Sequence, residues 1–151
     1  MASLSDFFSD DFKENFAARN IKVGAVIRKF MTNTTPPKEK RFIIVGLSDD
    51  SVALAVVYIN TRINPFIERN PELKNLQLPL KRNNRSILDY DSFVDCTQIL
   101  EYQFADIQSH ISENPDELLG EIDGFEHLNI VQRIRLSKQI SKAQLKKFDL
   151  E

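Results

Sequence analysis

Arg41 stands where a polar segment meets the apolar run Phe42-Ile43-Ile44-Val45, with Lys38 and Lys40 just ahead of it. A guanidinium at such an edge can clamp a phosphate through two parallel N–H bonds or stabilise charge developing on it. Asn60-Thr61 closes the next apolar run, Val52 to Ile59, and Ser48-Asp49-Asp50-Ser51 between the runs has the composition of a turn. An antiparallel hairpin sets the start of one strand beside the end of the other. Arg41, Asn60 and Thr61 should then meet at the end of the sheet away from that turn. An arginine, an amide and a hydroxyl in one place fit a phosphodiester or a base edge; a solvated strand end would account for the same residues. A third segment, Asp91-Ser92-Phe93-Val94-Asp95-Cys96-Thr97-Gln98-Ile99, sets carboxylates and polar groups along another strand.

Other chemistries find little support. The four glycines, at 24, 46, 120 and 124, are scattered and form no phosphate-cradling loop. His110 and His127 lack a second ligand at helical spacing, so neither a metal site nor a cofactor is expected. Ser92 has no nucleophile-elbow context. Cys96 is the sole cysteine, which excludes an internal disulfide and reads as a small buried hydrophobe rather than a nucleophile. The net charge of −2 gives no global case for nucleic acid. A local patch would have to supply the phosphate contacts. Lys38, Lys40 and Arg62 are suited to it, as are Lys81, Arg82 and Arg85, although that cluster also reads as a solvated turn.

Several elements must position these residues. Leu4, Phe8, Phe12 and Phe16 recur every four residues and predict an acidic helix over 4–19, packed on its own domain or gripping a partner. Ile21, Val23, Ala25 and Ile27 alternate with polar residues and predict a half-buried strand. Residues 31–40, with two prolines, predict a loop. Pro65 and Pro71 break any element over 60–73. Leu76, Leu78 and Leu80 predict a strand, at an edge because of Pro79. Asn83-Asn84 marks a turn. Residues 86–99 and 102–107 predict two more strands. Asn114-Pro115 opens a short helix ended by Gly120, and 121–123 is a short strand. Phe125 to Ile140 predicts a helix apolar on more than one face, as if buried against both its own domain and a second subunit. Residues 142–151 form a basic tail expected to fray.

At 151 residues the chain is long enough for one domain with one core. The order of elements predicts a mainly β (α+β) protein built on a small antiparallel barrel with helical additions. The N-terminus lacks the pattern of a signal peptide and no apolar run is long enough to span a bilayer, so a cytoplasmic protein with no membrane association is the expectation.

Gly24-Ala25-Val26-Ile27, the proline-containing loop, Arg41 followed by Ile43-Ile44-Val45, and Ile59-Asn60-Thr61 together resemble the first half of the MazF/PemK/Kid-like toxins. Ser92 to Ile99 is similar to a later strand of that family, and Leu119-Gly120-Glu121-Ile122 with the following helix to its C-terminal part. The resemblance spans roughly 22–141. It implies an SH3-like barrel over 21–141, with an N-terminal helical extension (1–20) and a basic tail (142–151) outside it. It also implies a homodimer, metal-independent cleavage of single-stranded RNA, and control by a cognate antitoxin or other protein partner. Arg41 and Thr61 match the family's residues at the scissile phosphate. Where the family carries an Asp-Gln pair, this chain has Thr97-Gln98. Asp95, or Asp91, would then replace the missing carboxylate, with Thr97, Gln98 and Asn60 contacting RNA. The alternatives are a non-catalytic RNA- or protein-binding module of the same fold, or a scaffold that binds protein through the Phe8/Phe12/Phe16 stripe.

Overall fold

The two central apolar runs form the expected hairpin, β2 (Lys38–Leu47) and β3 (Ala53–Asn60), in the computed structural model, which describes residues 10–32 and 35–151. The turn between them is held by side chains. Ser48 Oγ donates to Asp50 Oδ1 and accepts from the Ala53 amide at 3.0 Å, and the Val52 amide donates to Asp50. Strand β1 (Ala25–Met31) pairs with β2, and β7 (Leu118–Glu121) with β1. The other side of β3 carries β5 (Ser92–Asp95) near its C-terminal end and β6 (Leu100–Gln103) near its start; β4 (Gln77–Leu80) pairs with β5. All pairs are antiparallel, and the sheet curls into a half-barrel. The protein is thus mainly β with several helices. β4 lies at the edge, where the missing amide of Pro79 costs no ladder bond.

Both faces of the sheet are covered, which is why β2 and β3 read as almost unbroken apolar runs. One face buries Ile43, Val57, Ile59 and Val94 beneath α5 (Gly124–Leu136), which contributes Ile130, Val131 and Ile134. The other buries Phe42, Ile44, Leu54 and Val56 beneath α1 (Asp10–Asn20) and α4 (Phe104–Glu113), through Ala17, Ile107 and Ile111.

The structure departs from the sequence reading in several places. The segment expected to continue as a strand to Ile107 turns helical at Phe104, because Phe104, Ile107 and Ile111 share one helical face over the sheet. Strand β5 occupies four residues of the 86–99 run. Pro65 and Pro71 start short helices rather than break them: α2 (Pro65–Glu68) and α3 (Pro71–Lys74) each have Pro in the first turn and an Asn cap, Asn64 and Asn70, whose side chain accepts the next backbone amides. The basic tail does not fray. It forms α6 (Lys142–Lys147), capped by Ser141, and then buries Phe148 and Leu150. Of the N-terminal stripe, Leu4 and Phe8 lie outside the described residues; Phe12 is exposed and Phe16 packs partly against the second core. The 3₁₀ turn Pro115–Glu117 stands where a short helix was expected, and Gly120 lies inside β7.

Gly46 shows how tightly the tail docks. The β2–β3 register shifts beside it, and a Cβ built there would lie 2.9 Å from both Cβ and the carbonyl oxygen of Phe148. Backbone cannot yield as a flexible side chain can. Gly46→Ala should therefore cost about 1–3 kcal/mol, read as a lower urea midpoint with an unchanged m-value. An unchanged midpoint would show that the tail does not sit on β2 in solution.

Candidate functional site

The strand ends opposite the Ser48–Ser51 turn enclose a cavity of about 300 Å³. Arg28, Lys38, Lys40, Arg41 and Arg62 line it, together with Asn60, Thr61, Ser92 and the buried Leu88; among the described residues Glu39 is its sole lining carboxylate. The hairpin geometry expected from the sequence thus brings Arg41, Asn60 and Thr61 to one place, with Lys38, Lys40 and Arg62 around them.

The register adds what the sequence did not disclose. Arg28 of β1 stands directly opposite Arg41 of β2, and the next rung sets Lys29 opposite Lys40. Like charges on directly opposed positions of an antiparallel pair destabilise it, and here two such rungs are consecutive. Each arginine has an acidic partner. Arg28 Nε donates to Glu117 Oε2 at 2.9 Å, and that hydrogen bond raises the Arg28 pKa against the lowering effect of burial. Arg41 Nη2 donates to Asp89 Oδ2 at 3.0 Å, but Asp89 is largely in solvent, and the buried Arg41 Nε has no partner among the described residues. The guanidinium therefore keeps a buried donor that no described residue satisfies.

Lys40 is held differently. It is half-buried, donates to Asn60 Oδ1, and lies 5.1 Å from the centre of the Tyr58 ring. Its pKa is lowered chiefly by burial and then by Lys38; Asp95 pulls the other way. By strand alternation Lys40 falls on the face of Phe42 and Ile44, and Arg41 on the face of Ile43 and Val45.

The remaining predicted residues lie elsewhere. Asp95 does not line the cavity: its Oδ1 accepts from Gln77 Nε2 at 2.9 Å, from the Thr97 amide at 3.0 Å and from Thr97 Oγ1 at 2.6 Å. Thr97 is buried, with its carbonyl accepting from Ser137 Oγ at 2.5 Å, whereas Gln98 is exposed. Asp91 accepts from the Arg82 amide and faces Lys81 at 3.8 Å. Arg82 Nε donates to the Leu88 carbonyl at 3.0 Å. Arg85 binds Glu126 at 2.6 Å and the Lys81 carbonyl. Arg82 and Arg85 thus brace the 81–91 segment that supplies Leu88 and Asp89.

Cys96 is fully buried, and desolvation pushes its thiol up to about 12, far from thiolate chemistry. Among the described residues no group of three or more His, Cys, Asp or Glu is placed to hold a metal ion, and no helix is long and apolar enough to cross a membrane.

Fold and site together define a half-barrel sheet with an arginine- and lysine-lined mouth. No protein-family model matches the chain, and no curated protein matches it at a significant level.

Proposed function

We propose that this protein is a toxin-like endoribonuclease that cleaves single-stranded RNA without a metal, at the cationic mouth of an SH3-like barrel of the MazF/PemK/Kid type. The observation that carries the reading is the pair of like-charged rungs, Arg28–Arg41 and Lys29–Lys40, with Thr61, Asn60 and Arg62 beside them. Such rungs are unfavourable in the empty site and become favourable when phosphate oxygens stand among them. Arg41 has a free, desolvated donor for the scissile phosphate, and Thr61 adds a hydroxyl. The reaction is attack of a ribose 2′-hydroxyl on the adjacent phosphorus, for which a protein supplies proton transfer and charge stabilisation. A cognate antitoxin or another protein partner would hold the activity in check. An exposed stripe on α5, made by Phe125, Leu128 and Leu136, supports a homodimer.

One observation favours a second reading, a non-catalytic RNA-binding module. Asp95 is engaged by Gln77 and Thr97, so the cavity lacks the carboxylate that the family's pattern would supply.

Incubation of the purified protein with a long, unstructured RNA in EDTA separates the two. Fragments ending in 2′,3′-cyclic phosphate are expected. Intact RNA retained on a filter, with retention falling as salt rises, would replace cleavage by binding. Intact RNA that is not retained would remove both readings.

A further inference from the structure

The cavity poses a problem for RNA cleavage. Arginine does not deprotonate in proteins, and Thr61, Asn60 and Ser92 do not titrate near neutral pH. A 2′-hydroxyl must nevertheless lose its proton as it attacks. Among the described residues, the lining groups able to accept one are Lys38, Lys40 and Glu39. Lys38 and Glu39 are exposed, so water solvates their charged forms. Lys40 alone among them is half-buried, fixed by Asn60 and stacked over Tyr58.

Resting on the endoribonuclease reading, we propose that Lys40 is a catalytic residue of this site, the general base that takes the 2′-hydroxyl proton in place of the family's carboxylate. The surroundings suit an amine that must be neutral part of the time. Lys29 stands opposite on β1, and Lys38 and Arg41 flank it on β2; of these Lys38 disfavours a further positive charge on Lys40. Tyr58 and Asn60 of β3 supply no negative charge. Asp95 of β5 favours the ammonium, but its Oδ1 already accepts three hydrogen bonds. Burial and Lys38 together outweigh it and lower the Lys40 pKa, the direction a lysine base requires.

The step balances without a co-reactant. The Nζ lone pair takes the proton from O2′, and O2′ forms the bond to phosphorus. The P–O5′ bond breaks, and O5′ leaves with a proton from water. The ammonium returns its proton to the hydroxide so formed. The products are a 2′,3′-cyclic phosphate and a 5′-hydroxyl.

The test compares wild type, Lys40→Arg, Lys40→Ala and Glu39→Gln on the same RNA in EDTA, with circular dichroism to establish that each folds. Lys40→Arg keeps a cation and a donor to Asn60 but cannot deprotonate in the working range. It should retain RNA on a filter within about threefold of wild type and cleave about 10²-fold more slowly or worse. The wild-type rate should rise with pH through the lowered Lys40 pKa and then level off, a limb absent from Lys40→Arg. Small primary amines should restore part of the rate to Lys40→Ala. Lys40→Arg cleaving within threefold of wild type, or keeping the rising limb, overturns the assignment. So does loss of that limb in Glu39→Gln alone. Wild type that binds RNA and leaves it intact overturns the endoribonuclease reading itself, a result visible before any variant is made.

Discussion

Arg41→Ala should reduce RNA cleavage by about 10²–10³-fold while leaving the melting temperature where it is or slightly higher. The two halves of that expectation come from the same geometry. Arg41, itself mostly buried, meets an Asp89 carboxylate that is largely in solvent. A pair with one partner so solvated contributes about 0–1 kcal/mol. Against that small gain stands the Arg28–Arg41 rung, whose repulsion the substitution removes. Folding should therefore not depend on the guanidinium, whereas a phosphate transition state would lose both its charge and the unpartnered Nε donor. Arg41→Lys should fall between the two, because an ammonium keeps the charge without the planar fork. Steady-state cleavage and a thermal melt of the same preparations check this. A variant that cleaves as well as wild type would remove Arg41 from the site. One that melts many degrees lower would make it a structural residue.

How much of this was legible in the sequence follows from how local each signal is. The β2–β3 hairpin was, because a short turn joins two Val- and Ile-rich runs and fixes which ends meet. Arg41, Asn60 and Thr61 could be brought together from that alone. Arg28 could not, because β1 and β2 are joined through the proline-containing stretch after Met31, and no short turn fixes their register. The two like-charged rungs, the most informative feature of the site, depend wholly on that register. The partners of the Lys81–Arg85 cluster are hidden for a related reason. Its arginines look free in sequence, but their acceptors are the Leu88 carbonyl, Glu126 and the Lys81 carbonyl, two of which only the folded 81–91 turn and α5 bring near. Phe104 to Ile107 is too short an apolar run to tell strand from helix; Ile111, one turn further on, decides it. Asp95 was read by type and strand position, and neither reveals that Gln77 and Thr97 already engage its carboxylate.

Phe148→Ala should be the most destabilising single substitution in the C-terminal region, at about 3–5 kcal/mol, a large share of the roughly 5–15 kcal/mol that holds a domain together. The residue is almost wholly buried, with its Cβ and carbonyl against β2 at Gly46, and it shares a core cluster with Leu150. Its surroundings can collapse only in part. The β2 side is backbone at a register shift, and the tail is fixed by the Ser141 capping box, a Leu150 amide bond to the Leu145 carbonyl at 2.8 Å, and Arg135 bonds to the Leu150 and Glu151 carbonyls at 2.7 Å. At about 2–4 °C per kcal/mol for a chain of this size, the melting temperature should fall by roughly 6–20 °C. A fall of only one or two degrees would mean that the basic tail frays in solution, as its sequence suggests. The activity provides the contrast. Gly46 and Arg41 lie on the same strand, about 17 Å apart at the rise of an extended chain, so the void opens at the far end of β2 from the cavity. Well below its melting point, Phe148→Ala should cleave RNA within about threefold of wild type, while Arg41→Ala, with its melt unchanged, should not. Finding both properties lost together in Phe148→Ala at low temperature would show that β2 transmits packing at Gly46 to the strand end, and that the mouth of the half-barrel is not independently rigid.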